Sequence, residues 1–316
     1  ASGDPAKRHA IAALREGTQC PLMQLTLDWL PSCYVEEFEA IHRSVNVPGA
    51  TGKQIHASFL PRVENRMAVA KYVAAGAHFS LYQHSGAYGE VKDYLLHHAE
   101  SSIADRFRTW GWKINANDEP YLALRLMTTE KPAPRPEANT AGSWIYVLGR
   151  QPIPTNLEIT LAIQRRFFPT LSDKAAGKIV IRTRTNKGGS WWLQVTDEAR
   201  SRIKGVDDGK AGIRKMTSEA GMLILDTFPT TAFMECLTSG IPVIAMVPSG
   251  LAFTEVANVF YDEFFRLGLL HKSPESAANF LNGLELAGWW RDLRRTDCFQ
   301  QYLRTFCNCD ERLVVA

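Results

Sequence analysis

The residues best suited to chemistry lie between Tyr82 and Trp112, in the segment YQHSGAYGEVKDYLLHHAESSIADRFRTWGW. The apolar run that ends at Tyr82 predicts a strand, and Gln83 and His84 follow it directly. A glycine-spaced turn comes next, and Asp105 follows further along the chain. Open α/β sheets carry functional groups on loops at the carboxyl ends of their strands. The segment therefore predicts a site at a sheet edge, although a single His or Asp is as often structural.

A second candidate group is the threonine-rich turn that follows the apolar strand Gly221–Leu225. Asp226 ends this strand, and Thr230 and Thr231 open the next predicted helix. Backbone N–H groups and hydroxyls at a helix N-terminus suit a phosphate. Glu235 lies four residues after Thr231 and therefore on the same helix face. A carboxylate is unfavourable beside a phosphate, so Glu235 is predicted to bind ribose hydroxyls.

Two further pairs of side chains suit the same kind of anionic ligand. Arg182 and Arg184 end the predicted strand Lys178–Thr183, and a guanidinium can bind a phosphate or a carboxylate through two parallel hydrogen bonds. A solvated strand edge explains this pair equally well. Ser273 and Ser276 lie at the start of another predicted helix, where their hydroxyls are also available to a phosphate.

The elements that must position these residues alternate between strands and helices. Lys53–Leu60 reads as a strand and Glu64–Ala75 as an amphipathic helix, followed by the strand that ends at Tyr82. Such a β-α-β unit requires two parallel strands. The same alternation resumes at Ser143, after the proline-rich linker candidate KPAPRPEANTAG at 131–142. The chain is therefore predicted to be an α/β protein built from two β/α halves.

Composition limits the function classes. The 316 residues carry a formal net charge of +3, which is too small to indicate nucleic-acid binding but suits an anionic substrate. The longest apolar runs fall short of the ~20 residues that a membrane span needs. The Arg-rich segment Trp289–Phe306 is compatible with peripheral membrane contact, although basic surfaces more often serve solubility. The chain begins without an initiating Met, so the natural protein is expected to extend upstream.

Taken together, the motifs resemble a bacterial family of surface-carbohydrate transferases whose characterised relatives are retaining β-Kdo glycosyltransferases. The family pattern runs QHGGxYG, E-x-x-ISD, WGW, D-x3-TT-x3-E and H-x-SPE-xA. The chain matches it in this order from Leu30 to about Ala278, and the order is more specific than any single motif. It departs from the pattern at Ser85 and Ala87, which replace glycines, and at Ala104, which replaces a serine.

The resemblance implies a GT-B architecture, with two Rossmann-like domains facing each other across a cleft. Residues 1–140 are then the acceptor and catalytic domain, residues 141–288 the nucleotide-sugar-binding domain and residues 289–316 a helical segment. The implied reaction moves Kdo from CMP-β-Kdo to a glycan or lipid-linked glycan acceptor of an O-antigen or capsule. It takes place in the cytoplasm, and it needs no metal or other cofactor.

The resemblance also implies roles for individual residues. Asp105 is the carboxylate nucleophile, with the nearby Asp93 as the alternative, Glu36 is the acid/base and His84 orients the sugar or its carboxylate. On sequence alone, a carboxylate in the first helical turn, such as Glu36, is better explained by the helix dipole. The predicted donor-binding residues are Gln83, Tyr88, Arg182, Arg184, Asp226, Thr230, Thr231, Glu235, Ser273, Glu275 and Ser276.

Three other functions fit the same patterns. An inverting, sialyltransferase-like CMP-sugar transferase differs in the anomeric configuration of its product. A non-catalytic carbohydrate-binding domain of the same fold binds CMP without transfer, because a fold does not fix a function. A nucleotide-sugar epimerase is expected to prefer UDP over CMP.

Overall fold

A computed structural model of the chain describes residues 6–7, 9–10, 13, 31–49, 52–127, 137–149, 154–183, 191–207, 209 and 219–309. The chain forms two compact units. One unit consists of Ala1–Tyr82 with Ile103–Phe107, and the other consists of Gln83–Ser102 with Arg108–Ala316. The predicted functional domains 1–140 and 141–288 stay a prediction. None of the described helices is long and apolar enough to cross a bilayer.

The first unit contains the predicted β-α-β unit. Strand β1 (Gln54–Ala57) pairs in parallel with β2 (His78–Tyr82), with Ile55 opposite Phe79. The helix Val63–Ala74 connects them, and Gly76 ends it with a φ of +88°, a value that favours glycine. Two further short strands are β3 (Arg106–Thr109) and β4 (Asp118–Pro120).

The second unit contains a parallel sheet of six strands, β5 (Trp144–Val147), β6 (Ile179–Arg182), β7 (Gly205–Asp207), β8 (Met222–Leu225), β9 (Val243–Met246) and β10 (Leu270–His271). Their order in the sheet is β10-β9-β8-β5-β6-β7. Strands β6 and β7 extend the sheet on one side of β5, and strands β8, β9 and β10 extend it on the other side, so the strand order reverses between β5 and β8. The carboxyl ends of strands at such a reversal are where doubly wound sheets bind ligands.

Helices cover this sheet, and several begin at a hydroxyl side chain. Thr230, Thr254, Ser273 and Thr296 each accept the backbone N–H of the third residue of their helix, which satisfies a donor that lacks an intrahelical partner. The described helices are Phe38–Ser44, Val63–Ala74, Leu95–Ile103, Leu124–Met127, Pro154–Thr170, Asp173–Ala176, Asp197–Arg202, Thr231–Thr238, Glu255–Arg266, Pro274–Asn282, Leu286–Arg294 and Asp297–Phe306, with 3-10 turns at Ser32–Tyr34 and Trp191–Gln194.

The core of the second unit forms where these helices cover the sheet. Strands β5, β8 and β9 are buried along their whole length, as their continuous apolar runs predict. Tyr146 on β5 contacts the rings of Phe167 and Phe168 from the helix Pro154–Thr170. The burial of these rings holds the carboxyl ends of the strands in a fixed arrangement.

Three helix boundaries are set by local geometry. Ser32–Tyr34 forms a 3-10 turn, and the following helix starts at Phe38. Thr155 lies inside its helix, which begins at Pro154. The Arg-rich segment Trp289–Phe306 is divided between two helices, because Thr296 accepts the N–H of Phe299 and starts the second one.

His271, at the end of β10, is a buried histidine that the fold keeps neutral. Its Nε2 lies 3.0 Å from the carbonyl oxygen of Gly268 and its Nδ1 lies 3.2 Å from the hydroxyl oxygen of Ser276. Nε2–H therefore donates to the carbonyl, and Nδ1 accepts from the hydroxyl. Burial lowers the pKa of His271 from 6.5 to about 4, against the smaller opposing effect of the Gly268 carbonyl.

The free energy of unfolding should therefore decrease as the pH is lowered from 6.5 to about 4. In the unfolded chain His271 is protonated below pH 6.5, whereas in the folded chain it is protonated only below about pH 4. The stabilisation from neutral His271 is therefore complete above pH 6.5 and is lost as the pH falls to about 4. Its size is on the order of 3 kcal/mol. Urea unfolding at both ends of the window should show a weaker pH dependence for His271→Gln than for the unaltered chain. The exposed-histidine control His98→Gln should keep the full dependence; equal curves for both variants would remove His271 as the cause.

Candidate active site

A cavity of about 590 Å³ opens at the carboxyl ends of the parallel strands in the second unit. Its walls come from the loops after β5, β6 and β8, which meet where the strand order reverses. This is the sheet edge at which the sequence predicts a phosphate-binding group. The lining residues are Arg125, Val147, Leu148, Gly149, Arg182, Thr183, Gly209, Leu225, Thr227, Thr230, Thr231, Ala232 and Glu235.

The threonine-rich turn forms one wall of this cavity. Thr230 caps the helix Thr231–Thr238, and its Oγ1 accepts the N–H of Phe233 at 3.2 Å. Thr230, Thr231 and Glu235 all line the cavity, so the i and i+4 positions do share the face that the sequence indicates. The wall therefore combines hydroxyls, the N-terminal end of a helix and one carboxylate.

Asp226 holds this wall against the neighbouring loop. It is buried, and its Oδ1 accepts the backbone N–H of Gly149 at 2.7 Å. Because Gly149 follows β5 and Asp226 follows β8, the bond joins the loops on both sides of the strand-order reversal. Asp226 is not among the described residues that line the cavity. Its carboxylate therefore supports the cavity wall by holding the Gly149 loop in place.

Two guanidinium groups face the cavity, and only one of them is foreseen by the sequence. Arg182 is nearly buried, and it donates from Nη1 to Asp207 Oδ2 at 2.6 Å and from Nη2 to the Gly209 carbonyl at 3.2 Å. Its position is thus fixed and its charge is balanced. Arg125, on the short helix Leu124–Met127, is exposed and lines the cavity too. Arg184 lies outside the described residues.

The loop that carries the QHSGAYG motif lies against the threonine wall. The backbone N–H of Gly86 donates to Thr231 Oγ1 at 3.0 Å. A Cβ at position 86 would approach the carbonyl carbon of Thr230 at 2.9 Å and the nitrogen of Thr231 at 3.0 Å, so only glycine fits there without a shift of the backbone. This contact brings together two predicted groups that are 145 residues apart in the sequence.

Gln83 anchors the start of this loop to the Trp-Gly-Trp segment. Its buried Oε1 accepts the backbone N–H of Trp110 at 2.9 Å and the indole N–H of Trp112 at 3.0 Å. Its Nε2 donates to the Ser85 carbonyl at 2.9 Å. Because both ends of the Gln83 side-chain amide make these hydrogen bonds, Gln83 acts as a structural anchor for the loop.

Glu90 anchors the end of the loop and was not singled out by the sequence analysis. This fully buried carboxylate accepts hydrogen bonds from the hydroxyls of Tyr261 and Tyr302, the latter at 2.6 Å, and from the N–H of Ala87 at 3.2 Å. Burial raises the pKa of Glu90, whereas these three hydrogen bonds lower it. The partners lie 171 and 212 residues away, so no local pattern could have indicated the contact.

His84 and Tyr88 form a polar cluster with Glu100. The Tyr88 hydroxyl donates to Glu100 Oε2 at 2.8 Å and lies 3.4 Å from His84 Nδ1. Burial, and then the hydrogen bond and charge of Glu100, raise the pKa of Tyr88 well above its ordinary value. Tyr88 is therefore a neutral phenol whose hydroxyl donates a hydrogen bond to Glu100.

The predicted nucleophile and acid/base belong to the first unit. Asp105 is exposed, and its Oδ2 accepts the N–H of Phe79 at 2.7 Å and lies 3.8 Å from His78 Nδ1. Glu36 is half-buried in the turn before the helix Phe38–Ser44. The Phe79 amide positions the Asp105 carboxylate, and the catalytic roles of both residues stay predictions.

The H-x-SPE element lies outside the set of described residues that line the cavity. Ser273 accepts the N–H of Ser276 at 3.1 Å as a helix cap, and Ser276 contacts His271. Glu275 accepts two hydrogen bonds from Arg166, at 2.6 and 2.8 Å, and this partner lowers the pKa of the carboxyl. In this structure the three predicted donor ligands make local structural contacts.

Comparison with protein-family models matches residues 13–314 to the LIC12162 family transferases, so the chain belongs to this family of transferases. Comparison with curated protein sequences gave no match. Among solved structures, the chain is similar to MurG of Acinetobacter baumannii, with 13% sequence identity and a TM-score of 0.42. That similarity covers 85% of this chain and 76% of the MurG chain.

The contact between the loop and the threonine wall gives a paired test at neighbouring positions. Gly86→Ala should destabilise the fold by roughly 1–3 kcal/mol, because its Cβ meets backbone atoms. Ala87 has a φ of +76°, which costs an L-residue about 1–2 kcal/mol, so Ala87→Gly should stabilise the fold by part of that amount. Urea unfolding midpoints measure both effects, and shifts of the same sign would contradict the loop geometry.

Proposed function

We propose that this transferase is a glycosyltransferase of GT-B type that moves Kdo from CMP-β-Kdo to a bacterial surface glycan with retention of configuration. The observation that carries the proposal is the cavity at the strand-order reversal, with a threonine-capped helix start and two guanidiniums in its walls. Parallel sheets bind nucleotides at this position. The donor sugar and the stereochemistry rest on the motif resemblance.

The phosphate of the donor is proposed to lie against Thr230 and Thr231. A helix N-terminus attracts anions through its N–H groups and dipole, and the hydroxyl of Thr231 can donate to a ligand while its oxygen accepts from Gly86. Arg125 adds a positive charge that no described carboxylate balances through an ion pair. These groups stabilise the charge that develops on CMP as it leaves, at about 3–4 kcal/mol for a well-placed donor.

The ribose of the donor is proposed to bind Glu235. This carboxylate lines the cavity one helical turn beyond Thr231, so it faces the ligand some distance from the phosphate. A carboxylate accepts hydrogen bonds from both hydroxyls of a ribose and repels a phosphate. The cavity volume of about 590 Å³ lies within the usual range for small-molecule sites.

The proposed chemistry is a double displacement. A carboxylate oxygen of Asp105 attacks the anomeric carbon, and the bond to the CMP phosphate breaks with its electron pair leaving on CMP. The acceptor hydroxyl then attacks the same carbon, its proton passes to Glu36, and the bond to Asp105 breaks. Two inversions give net retention. The resemblance supports both assignments, and the ordered backbone around Asp105 is compatible with them.

Isothermal calorimetry with CMP tests the donor site directly. The unaltered chain should bind CMP in preference to UDP, with no change after addition of EDTA. Glu235→Ala should weaken CMP binding roughly 10-fold or more, because a charge-assisted hydrogen bond is lost. Glu255→Ala removes an exposed carboxylate outside the cavity and should leave the affinity unchanged. No CMP binding to the unaltered chain would discard the proposal, and a preference for UDP would favour an epimerase.

Transfer assays with CMP-Kdo test the nucleophile. Asp105→Asn keeps an oxygen for the Phe79 N–H but removes the charge, so transfer should fall roughly 10³-fold or more. Asp93→Asn is the matched control, because Asp93 has a φ of +55° that Asn tolerates equally well. The anomeric configuration of the product, measured by NMR, should be that of the donor. Full activity of Asp105→Asn removes this residue from the role, and an inverted product favours the sialyltransferase-like alternative.

A further inference from the structure

The polar cluster of His84, Tyr88 and Glu100 contains a carboxylate that the proposed mechanism does not use. Glu100 lies on the helix Leu95–Ile103, and its side chain is only 15% exposed. Tyr88 is fully buried, and the side chain of His84 is 21% exposed. The cluster thus leads from a largely buried charge to a histidine that solvent can reach.

The distances in the cluster favour one arrangement of its protons. The Tyr88 hydroxyl donates to Glu100 Oε2 at 2.8 Å, and the phenol oxygen, which the Ser85 side chain also hydrogen-bonds, has a second lone pair. That oxygen lies 3.4 Å from His84 Nδ1, and the carboxylate oxygen lies 3.9 Å from the same nitrogen. Both neighbours favour a proton on Nδ1. A neutral His84 then carries its lone pair on Nε2.

Ring contacts hold the cluster in place. The Tyr88 ring meets His84 edge-on at a centroid distance of 5.4 Å and Tyr94 at 5.1 Å. On the same helix as Glu100, the buried His97 contacts Asp118 through Nε2 at 3.3 Å. The helix and the tyrosine therefore cannot move independently, and the direction of the hydrogen bond to His84 is set by packing.

We propose that Glu100 is a positioning residue for His84. Acting through Tyr88, it holds the imidazole in the tautomer protonated at Nδ1, so that Nε2 is the nitrogen that accepts a hydrogen bond from the sugar or from the acceptor hydroxyl. This role depends on the proposed function in one respect: His84 must contact the reacting molecules. The tautomer itself is a property of the protein without ligand.

Long-range ¹H–¹⁵N NMR spectra of the full chain test the tautomer, with His84→Gln used to assign the signals. In mildly alkaline buffer, His84 should show a protonated Nδ1 and an unprotonated Nε2. Glu100→Gln keeps the shape of the side chain but loses its charge, and Tyr88→Phe removes the bridging hydroxyl. Both variants should move the two nitrogen shifts towards a mixture of tautomers. Glu158→Gln, an exposed control on the helix Pro154–Thr170, should change neither shift.

Kinetics with CMP-Kdo separate positioning from folding. Glu100→Gln should lower kcat roughly 10²-fold, the scale of a misplaced proton-transfer group, while the KM for the donor changes little. A His84 already protonated at Nε2 in the unaltered chain, or unaltered tautomers in both variants, would overturn the proposal. If the tautomers shift as expected but the unaltered chain transfers no Kdo, the positioning role stands and the proposed function fails.

Discussion

The interaction on which the candidate site depends is the fixation of the loop 83–90 at three points. Gln83 binds the Trp-Gly-Trp segment at its start, Gly86 binds Thr231 in its middle, and Glu90 binds two tyrosine hydroxyls at its end. Each point uses a buried or half-buried polar group, for which a lost partner costs about 1–3 kcal/mol. The loop therefore has little freedom to move away from the cavity wall.

This fixation connects two features that a sheet edge alone does not provide. The strand-order reversal creates the cavity, and the Asp226 carboxylate joins the two loops on either side of it. The loop 83–90 then places the Gly86 amide against the threonine wall, two residues after His84. Since Thr231 both lines the cavity and accepts the Gly86 amide, a ligand that binds this hydroxyl also contacts the support of the histidine loop.

Local patterns predict the elements well and the anchors poorly. The buried strands, the β-α-β unit and the caps at Thr230, Thr254 and Ser273 follow from apolar runs and from hydroxyls at helix starts. The helix break at Thr296 depends on the cap that its hydroxyl forms with the Phe299 N–H, which an apolar pattern does not indicate. The roles of Gln83 and Glu90 depend on partners distant in the sequence, and a buried carboxylate looks like a surface one in a single sequence.

Ala87 shows that the contacts around this residue, rather than the conformational freedom of a glycine, set its backbone conformation. The motif that the chain resembles has a glycine here, yet Ala87 adopts the left-handed backbone at a φ of +76°. A strained residue persists only where its surroundings determine its conformation. They do so here, because the Ala87 amide donates to Glu90 and the preceding amide donates to Thr231. These hydrogen bonds therefore set the geometry of the loop, and a site held in this way spends little binding energy on ordering its own residues.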